Sequence, residues 1–435
     1  MKVKYFFLLI LLAGLWQGCE KSDVDSLSLN FTESEFKDVS NQGATLTMEI
    51  TSAAAWTASS DADWCTPLAK KGSGDGELKV KVDGNLYSEE RTATLTIAIT
   101  GGKKMAVEIH QRATTGEFCY DLPVIFHVLY KDKSDELQYV SQSRLAEILE
   151  AVNKFYAGST NSPDMNLTFH LATTDGEGNT LSTPGVEYVK WEDDYPIDFS
   201  EFMTDNTHDY VNYLWDPNEY INVMVYNFKS DASSGAVTLG ISHLPYTTAG
   251  SNSLEGLTEI KYSYLELSNL SYPYCVSINS LYINEQSDQT RYSTADVTVT
   301  VAHELGHYLG LHHVFAEEED GETANTCADT DYCDDTPSYN KTEYDAYVNM
   351  ISTYNYELFT FKNLVKRTNC SGETFTSNNI MDYAISYSDR FTDDQRTRLR
   401  HVLTYSPLIP GPKKDVVKTR TRNEGRISLP IRMKE

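Results

Sequence analysis

The stretch VAHELGHYLGLHHVF, residues 301–315, holds four of the chain's ten histidines and restricts the fold more than any other segment. Its approach, VTVTV at 297–301, alternates β-branched residues and would suit a strand on propensity alone. Yet Val297, Val301, Leu305 and Leu309 recur every four residues and make one apolar helical stripe. As a helix, the segment puts His303 and His307 one turn apart on one face, roughly 6 Å along the axis, within reach of a single ion. STAD at 293–296 offers N-cap residues, and Gly310 can end the helix in a left-handed conformation. The chain can then reverse and return His313 to the same point. Three imidazoles leave a fourth position open, the ligand count of a catalytic zinc site and not of a closed structural one. Glu304, next to a ligand, would stand beside the water that such an ion activates and could take its proton.

The pattern HExxHxxGxxH fixes five positions. In a chain with ten histidines and 24 glycines its chance expectation is on the order of 10⁻⁵ to 10⁻⁴. A helix with incidental histidines is set aside on that ground. His312 fits no position of the pattern and is expected at the surface. His110, His127, His170, His208, His243 and His401 are scattered and are expected to be structural.

With 435 residues the chain is expected to hold two or three domains, and its formal net charge of -27 excludes a nucleic-acid partner, since nothing would neutralise phosphates. Lys2 and Lys4 precede YFFLLILLAGL, too short to span a bilayer but suited to the core of an export signal. The run ends in LWQGC, which resembles the lipobox of bacterial lipoproteins with Trp16 in place of the usual aliphatic residue. That resemblance implies a signal peptide at 1–18, cleavage before Cys19, acylation of Cys19, and a tether at 19–26. The chain would then be exported and lipid-anchored to a bacterial outer membrane, at the cell surface. An ordinary cleaved signal with Cys19 left as a thiol is the alternative. Six further cysteines, Cys65, Cys119, Cys275, Cys327, Cys333 and Cys370, allow fifteen disulfide connectivities.

From residue 27 to 113 the pattern has period two. ATLTMEITS, ELKVKVDG, RTATLTIAIT and KKMAVEIHQ alternate apolar and polar residues between turn signals, which points to a small β-sandwich. The Trp56 strand, DADW ending at Trp64, Arg91 opening a strand and IHQ closing at Gln111 resemble the BACON domain, an immunoglobulin-like module. Trp56 and Trp64 are expected in the core. The resemblance implies either glycan contact or a spacer that lifts the next domain off the membrane. RATTGEF at 112–118 reads as a linker. Beyond it, LPVIFHVLY, MNLTFHLA and EYINVMVYNF read as buried strands, GISHLPY as an edge strand, and SQSRLAEILEAVNKFYAG as a helix, which gives an α/β or α+β domain over 114–410. The basic tail 411–435 follows.

HELGHYLGLHH, together with NNIMDYAIS downstream, resembles the metzincin clan of zinc endopeptidases; the continuation through a cysteine, DDTP and NIMDY narrows it to the pappalysin family. The resemblance implies zinc on His303, His307 and His313, Glu304 as general base, Met381 as the methionine of a turn beneath the metal, and Tyr383 as a donor to the oxyanion. It also implies a disulfide between Cys327 and Cys370. Asp331, Asp334, Asp335 and Thr336 stand where some relatives bind calcium; a solvated acidic loop is the alternative. Cys119 is expected in a disulfide rather than as a cap on the zinc. YDAYVNMISTYNYELFTF, before the methionine turn, is an insertion expected at the rim of the substrate cleft. The function expected is hydrolysis of protein or peptide substrates. The rivals are a carbohydrate-binding surface lipoprotein with an inactive protease fold, and a zinc amidase or peptidoglycan hydrolase.

Overall fold

The computed structural model describes residues 29–99, 103–158, 161–230, 237–288, 291–318, 321–383, 385–416 and 431–434. The expected signal peptide, Cys19 and the tether lie outside these residues. Among the described residues no helix is long and apolar enough to cross a membrane.

The alternating segments at the N-terminus form two packed sheets. One runs in the order Leu29–Phe31, Ala44–Ser52, Gly76–Val82, Cys65–Pro67, and the other Glu35–Val39, Lys104–Gln111, Arg91–Ile99, Ala55–Ser60, Lys71–Ser73. Alternation buries every second side chain, so Met48, Ile50, Leu78 and Val80 meet Trp56, Leu95, Ile97, Val107 and Ile109 in one core. Trp56 is in that core as expected. Trp64 is only half-buried, beneath the Arg91 guanidinium at 4.1 Å. Arg91 Nε also donates to Gln111 Oε1 (2.6 Å), which joins the start of one strand to the end of its neighbour.

The second unit is a mixed sheet with helices. Its strands are β1 (Tyr120–Tyr130), β2 (Leu167–Leu171), β3 (Val186–Lys190), β4 (Ile221–Tyr226), β5 (Gly240–His243), β6 (Val276–Asn279) and β7 (Ile431–Lys434). The order is β2-β1-β4-β6-β5-β7, with β3 also paired to β1. The first pairs are parallel, whereas β5 lies antiparallel to both β6 and β7. Parallel central strands are covered on both faces, which is why INVMVY of β4 is buried at all six positions. The fold is thus a β-sandwich followed by an α/β unit, as expected. β7 departs from the expected basic tail: its four residues cover the edge of β5.

Helix α1 (Gln142–Tyr156) is capped by Ser141, whose side chain accepts from Arg144 N–H, and Gly158 beyond its end has φ 67°. It packs on α2 (Val297–Tyr308). α3 (Lys341–Tyr354) and α4 (Asp393–Tyr405) follow, the latter opened by a capping box of Thr392 and Gln395. The two units meet at Lys79 Nζ, which donates to Gly178 O at 2.8 Å, at an ion pair of Lys81 with Glu219, and at Leu86.

Candidate metal centre

VTVTVAHELGHY is helical despite its β-branched start. Asp296 caps it, accepting from Thr298 and Val299 N–H at 2.9 and 3.2 Å, and the helix is buried almost all round. Packing on the sheet and on α1 outweighs the strand propensity of the valines and threonines. Gly310 has φ 92°, and Gly310 N–H donates to His307 O at 2.8 Å. A side chain there would also meet Val402 Cγ2 at 2.7 Å, so both conformation and space call for glycine.

The reversal brings His313 back to His303 and His307. Their three Nε2 atoms stand 3.0, 3.1 and 3.1 Å apart, and all three side chains are fully buried. Each Nδ1 has a partner that can only accept: Ile380 O for His303 at 2.7 Å, Leu311 O for His307 at 2.8 Å, and the Glu317 carboxylate for His313 at 2.5 Å. Each Nδ1 therefore carries the proton, and three Nε2 lone pairs converge on one point. Three such lone pairs repel unless a cation lies among them. The spacing is close to the roughly 3.3 Å that tetrahedral ligation at about 2.0–2.1 Å requires, so the residues fit a zinc-type ion. Burial and the neighbouring His313 push the His307 pKa well below its ordinary value, which keeps it neutral, as a ligand must be.

Glu304 is fully buried on the same helix. Gly240 of β5 faces it, and a Cβ on that glycine would lie 2.6 Å from Glu304 Cγ. Met381 lies beneath the helix: a Cβ on Gly306 would be 2.6 Å from its sulfur. Tyr383 packs edge-on to His313, with ring centroids 4.6 Å apart, and lies 6.3 Å from His303. Asp382 anchors the turn, accepting from Tyr339 OH at 2.6 Å and facing the buried Arg367 guanidinium at 3.5 Å.

Sequence reasoning missed Glu317. It follows His313 by four residues, but AEEED offers four adjacent acids and nothing to choose among them. It also missed Gly240 and the carbonyl of Ile380, which leave no sequence signature. His312 is not at the surface: it is buried, edge-on to Tyr332 and 3.7 Å from Glu317. Burial pushes its pKa down to about 3. His127 sits between Glu187 and Asn222, and His243 between the carbonyls of Cys275 and Met203, as structural residues would.

Cys327 and Cys370 are disulfide-bonded. Among the described residues Cys65, Cys119, Cys275 and Cys333 are free, so the disulfide expected at Cys119 does not form there. Asp331 turns inward, accepting from Thr336 Oγ1 at 2.6 Å and Cys333 N–H at 3.0 Å. Asp335 instead accepts from the N–H of Asp394 at 3.1 Å. Among the described residues, the carboxylates of Asp331, Asp334 and Asp335 do not converge on a cation site. The insertion helix α3 begins at the rim of the centre, with Lys341 Nζ 5.1 Å from the Tyr383 ring.

Residues 204–404 match the model of the peptidase family M43, described as pregnancy-associated plasma protein-A. Residues 54–112 match the BACON model, described as a putative binding domain, N-terminal. The chain is 27% identical over 110 residues to the xyloglucan-specific endo-beta-1,4-glucanase BoGH5A of Bacteroides ovatus, a match covering 25% of this chain and 22% of that protein. The chain thus spans about a fifth of the length of the curated relative it matches. A promirolysin variant of Tannerella forsythia overlaps 66% of this chain and 81% of its own, at 19% identity and a TM-score of 0.41. A protein from Bacteroides thetaiotaomicron is covered in full by 23% of this chain, at 19% identity and a TM-score of 0.17.

Proposed function

We propose that this chain, whose residues 204–404 match the pappalysin-type metallopeptidase family, is a zinc-dependent endopeptidase with Glu304 as its general base. The observation that carries the reading is the convergence of three imidazoles, each with Nδ1 committed to an acceptor and Nε2 facing the other two. His303, His307 and His313 would hold the ion. Zinc bound there supplies a Lewis acid for the peptide carbonyl and brings the pKa of water to near 7.

This chain's own residues do the rest. Glu304, buried and one residue from His303, takes the proton of the attacking water and hands it to the leaving amine. Burial strengthens each charge interaction in the centre. Tyr383, beside His313, donates its hydroxyl proton to the oxygen that gains charge as water adds. Met381 and Gly306, in contact beneath the helix, hold the turn that carries Tyr383 against the histidines.

We further propose that Cys19 is acylated and tethers the exported chain to the outer membrane. In this reading the BACON module serves as a spacer that also offers a surface for glycans, which the partial likeness to a xyloglucanase supports. The deciding experiment is hydrolysis of casein, with purified cell wall in parallel, by chain carrying about one zinc by elemental analysis. Cleavage of casein that stops with chelator and resumes with zinc is the expected result. Cleavage of cell wall alone, or of neither, sinks the endopeptidase reading. Mass spectrometry of the mature N-terminus tests the anchor, and an unmodified terminus elsewhere would refute it.

A further inference from the structure

Strand β5 runs past the candidate general base, and four residues of the same chain lie along its outer edge. β7 pairs antiparallel with it in the register His243 with Ile431, Ser242 with Arg432, Ile241 with Met433 and Gly240 with Lys434. Lys434 is therefore opposite the glycine that faces Glu304. β7 also packs against α2, which carries Glu304 and two of the three histidines.

The seat is not only main chain. Arg432 is 5% exposed, and its Nε lies 3.3 Å from Glu317 Oε2, the carboxylate whose other oxygen accepts from His313. Its Nη1 donates to Ile431 O at 2.9 Å and lies 3.0 Å from where a Gly321 side chain would begin. Gly321 has φ 92°, so both conformation and space keep that position open for the arginine.

A sheet edge binds any extended segment through main-chain hydrogen bonds, with alternate side chains adding selectivity. An extended segment added to this edge runs its backbone past Gly240, the glycine that faces Glu304. We propose that residues 431–434 are the intramolecular occupant of this edge and that they keep incoming peptides off it. The proposal rests on the peptidase reading for what the incoming peptide undergoes, but not for the docking itself. A tethered segment acts at an effective concentration on the order of 1 mM. If four residues bind the edge with a dissociation constant on the order of 0.1 mM, the bound form prevails about tenfold and slows peptide capture by the same factor.

The test uses the full chain, a chain ending at residue 426, and full chain with Arg432→Ala, each with and without Glu304→Ala. In the Glu304→Ala set, binding of a labelled peptide of residues 427–435 is measured by fluorescence anisotropy. The shortened chain should bind it about tenfold more tightly than the full chain, with Arg432→Ala between them. In the set that retains Glu304, kcat/KM for peptide hydrolysis should rise in the same order. Equal binding by full and shortened chains, or no binding by either, overturns the proposal. If hydrolysis is absent throughout while the binding difference stands, the peptidase reading fails and the docking assignment survives. Should the shortened chain not fold, Arg432→Ala decides: binding no tighter than that of the Arg432 chain overturns the assignment.

Discussion

Gly240→Ala tests the geometry of Glu304 without touching a chemical group. The added Cβ would stand 2.6 Å from Glu304 Cγ and 2.7 Å from its Oε1. Carbon atoms in contact prefer about 3.5–4.0 Å, so the carboxyl must move by about 1 Å. A misplacement of that size costs on the order of 10²-fold in rate. The backbone gives no second cause of damage, because Gly240 is not among the glycines with positive φ. We expect kcat/KM on a quenched peptide to fall about 10²-fold, with zinc content and circular dichroism unchanged. Gly76→Ala, in a sandwich strand with open space at the Cβ position, should leave all three unchanged. Full activity in Gly240→Ala would refute the placement of Glu304 as base. Loss of zinc with activity would show that the glycine supports the ligands instead.

Glu304→Ala should retain zinc and lose about 10²- to 10⁴-fold in kcat/KM, while Tyr383→Phe should lose about 10²- to 10³-fold and His307→Ala should lose the metal, read by elemental analysis beside kinetics. Replacing both Cys327 and Cys370 by serine opens a loop with a sequence separation of 43. By chain entropy that removes up to about 4 kcal/mol, measurable by urea unfolding, and a loss under about 0.5 kcal/mol would contradict it. His243 is fully buried, and burial pushes its pKa from 6.5 to about 4. Between those values the unfolded chain binds the extra proton, so stability should fall as pH drops through that window, by about 1.4 kcal/mol per unit from this group. His243→Gln should flatten the slope of unfolding free energy against pH between 4 and 6.5; an unchanged slope would place the titration elsewhere.

The arrangement of the three histidines was legible because HExxHxxGxxH encodes geometry directly: helical spacing sets two imidazoles on one face, and Gly310 sets the return of the third. The alternating strands of the N-terminal module were legible for the same reason, a period that matches a half-buried pleat. His312 was misplaced because a histidine off the pattern carries no mark of burial; Glu317, five residues on, and Tyr332, twenty residues on, enclose it. Cys119 was misplaced because cysteine parity holds for a whole chain and does not say which thiols come near each other. The strand at Ile431–Lys434 gave no period to read. Four residues with two basic ones look like tail, and only the bare edge of β5 makes them a strand.

The two hydrophobic clusters share no residue, and the contacts between the units include an ion pair of Lys81 with Glu219 and a single bond from Lys79 to Gly178. Half-exposed pairs of that kind couple weakly. The molecule should therefore unfold as two cooperative blocks rather than one. Differential scanning calorimetry should resolve two heat-absorption peaks, and chelation should shift only the one that belongs to the α/β block, because an ion bound to one folded block stabilises that block alone.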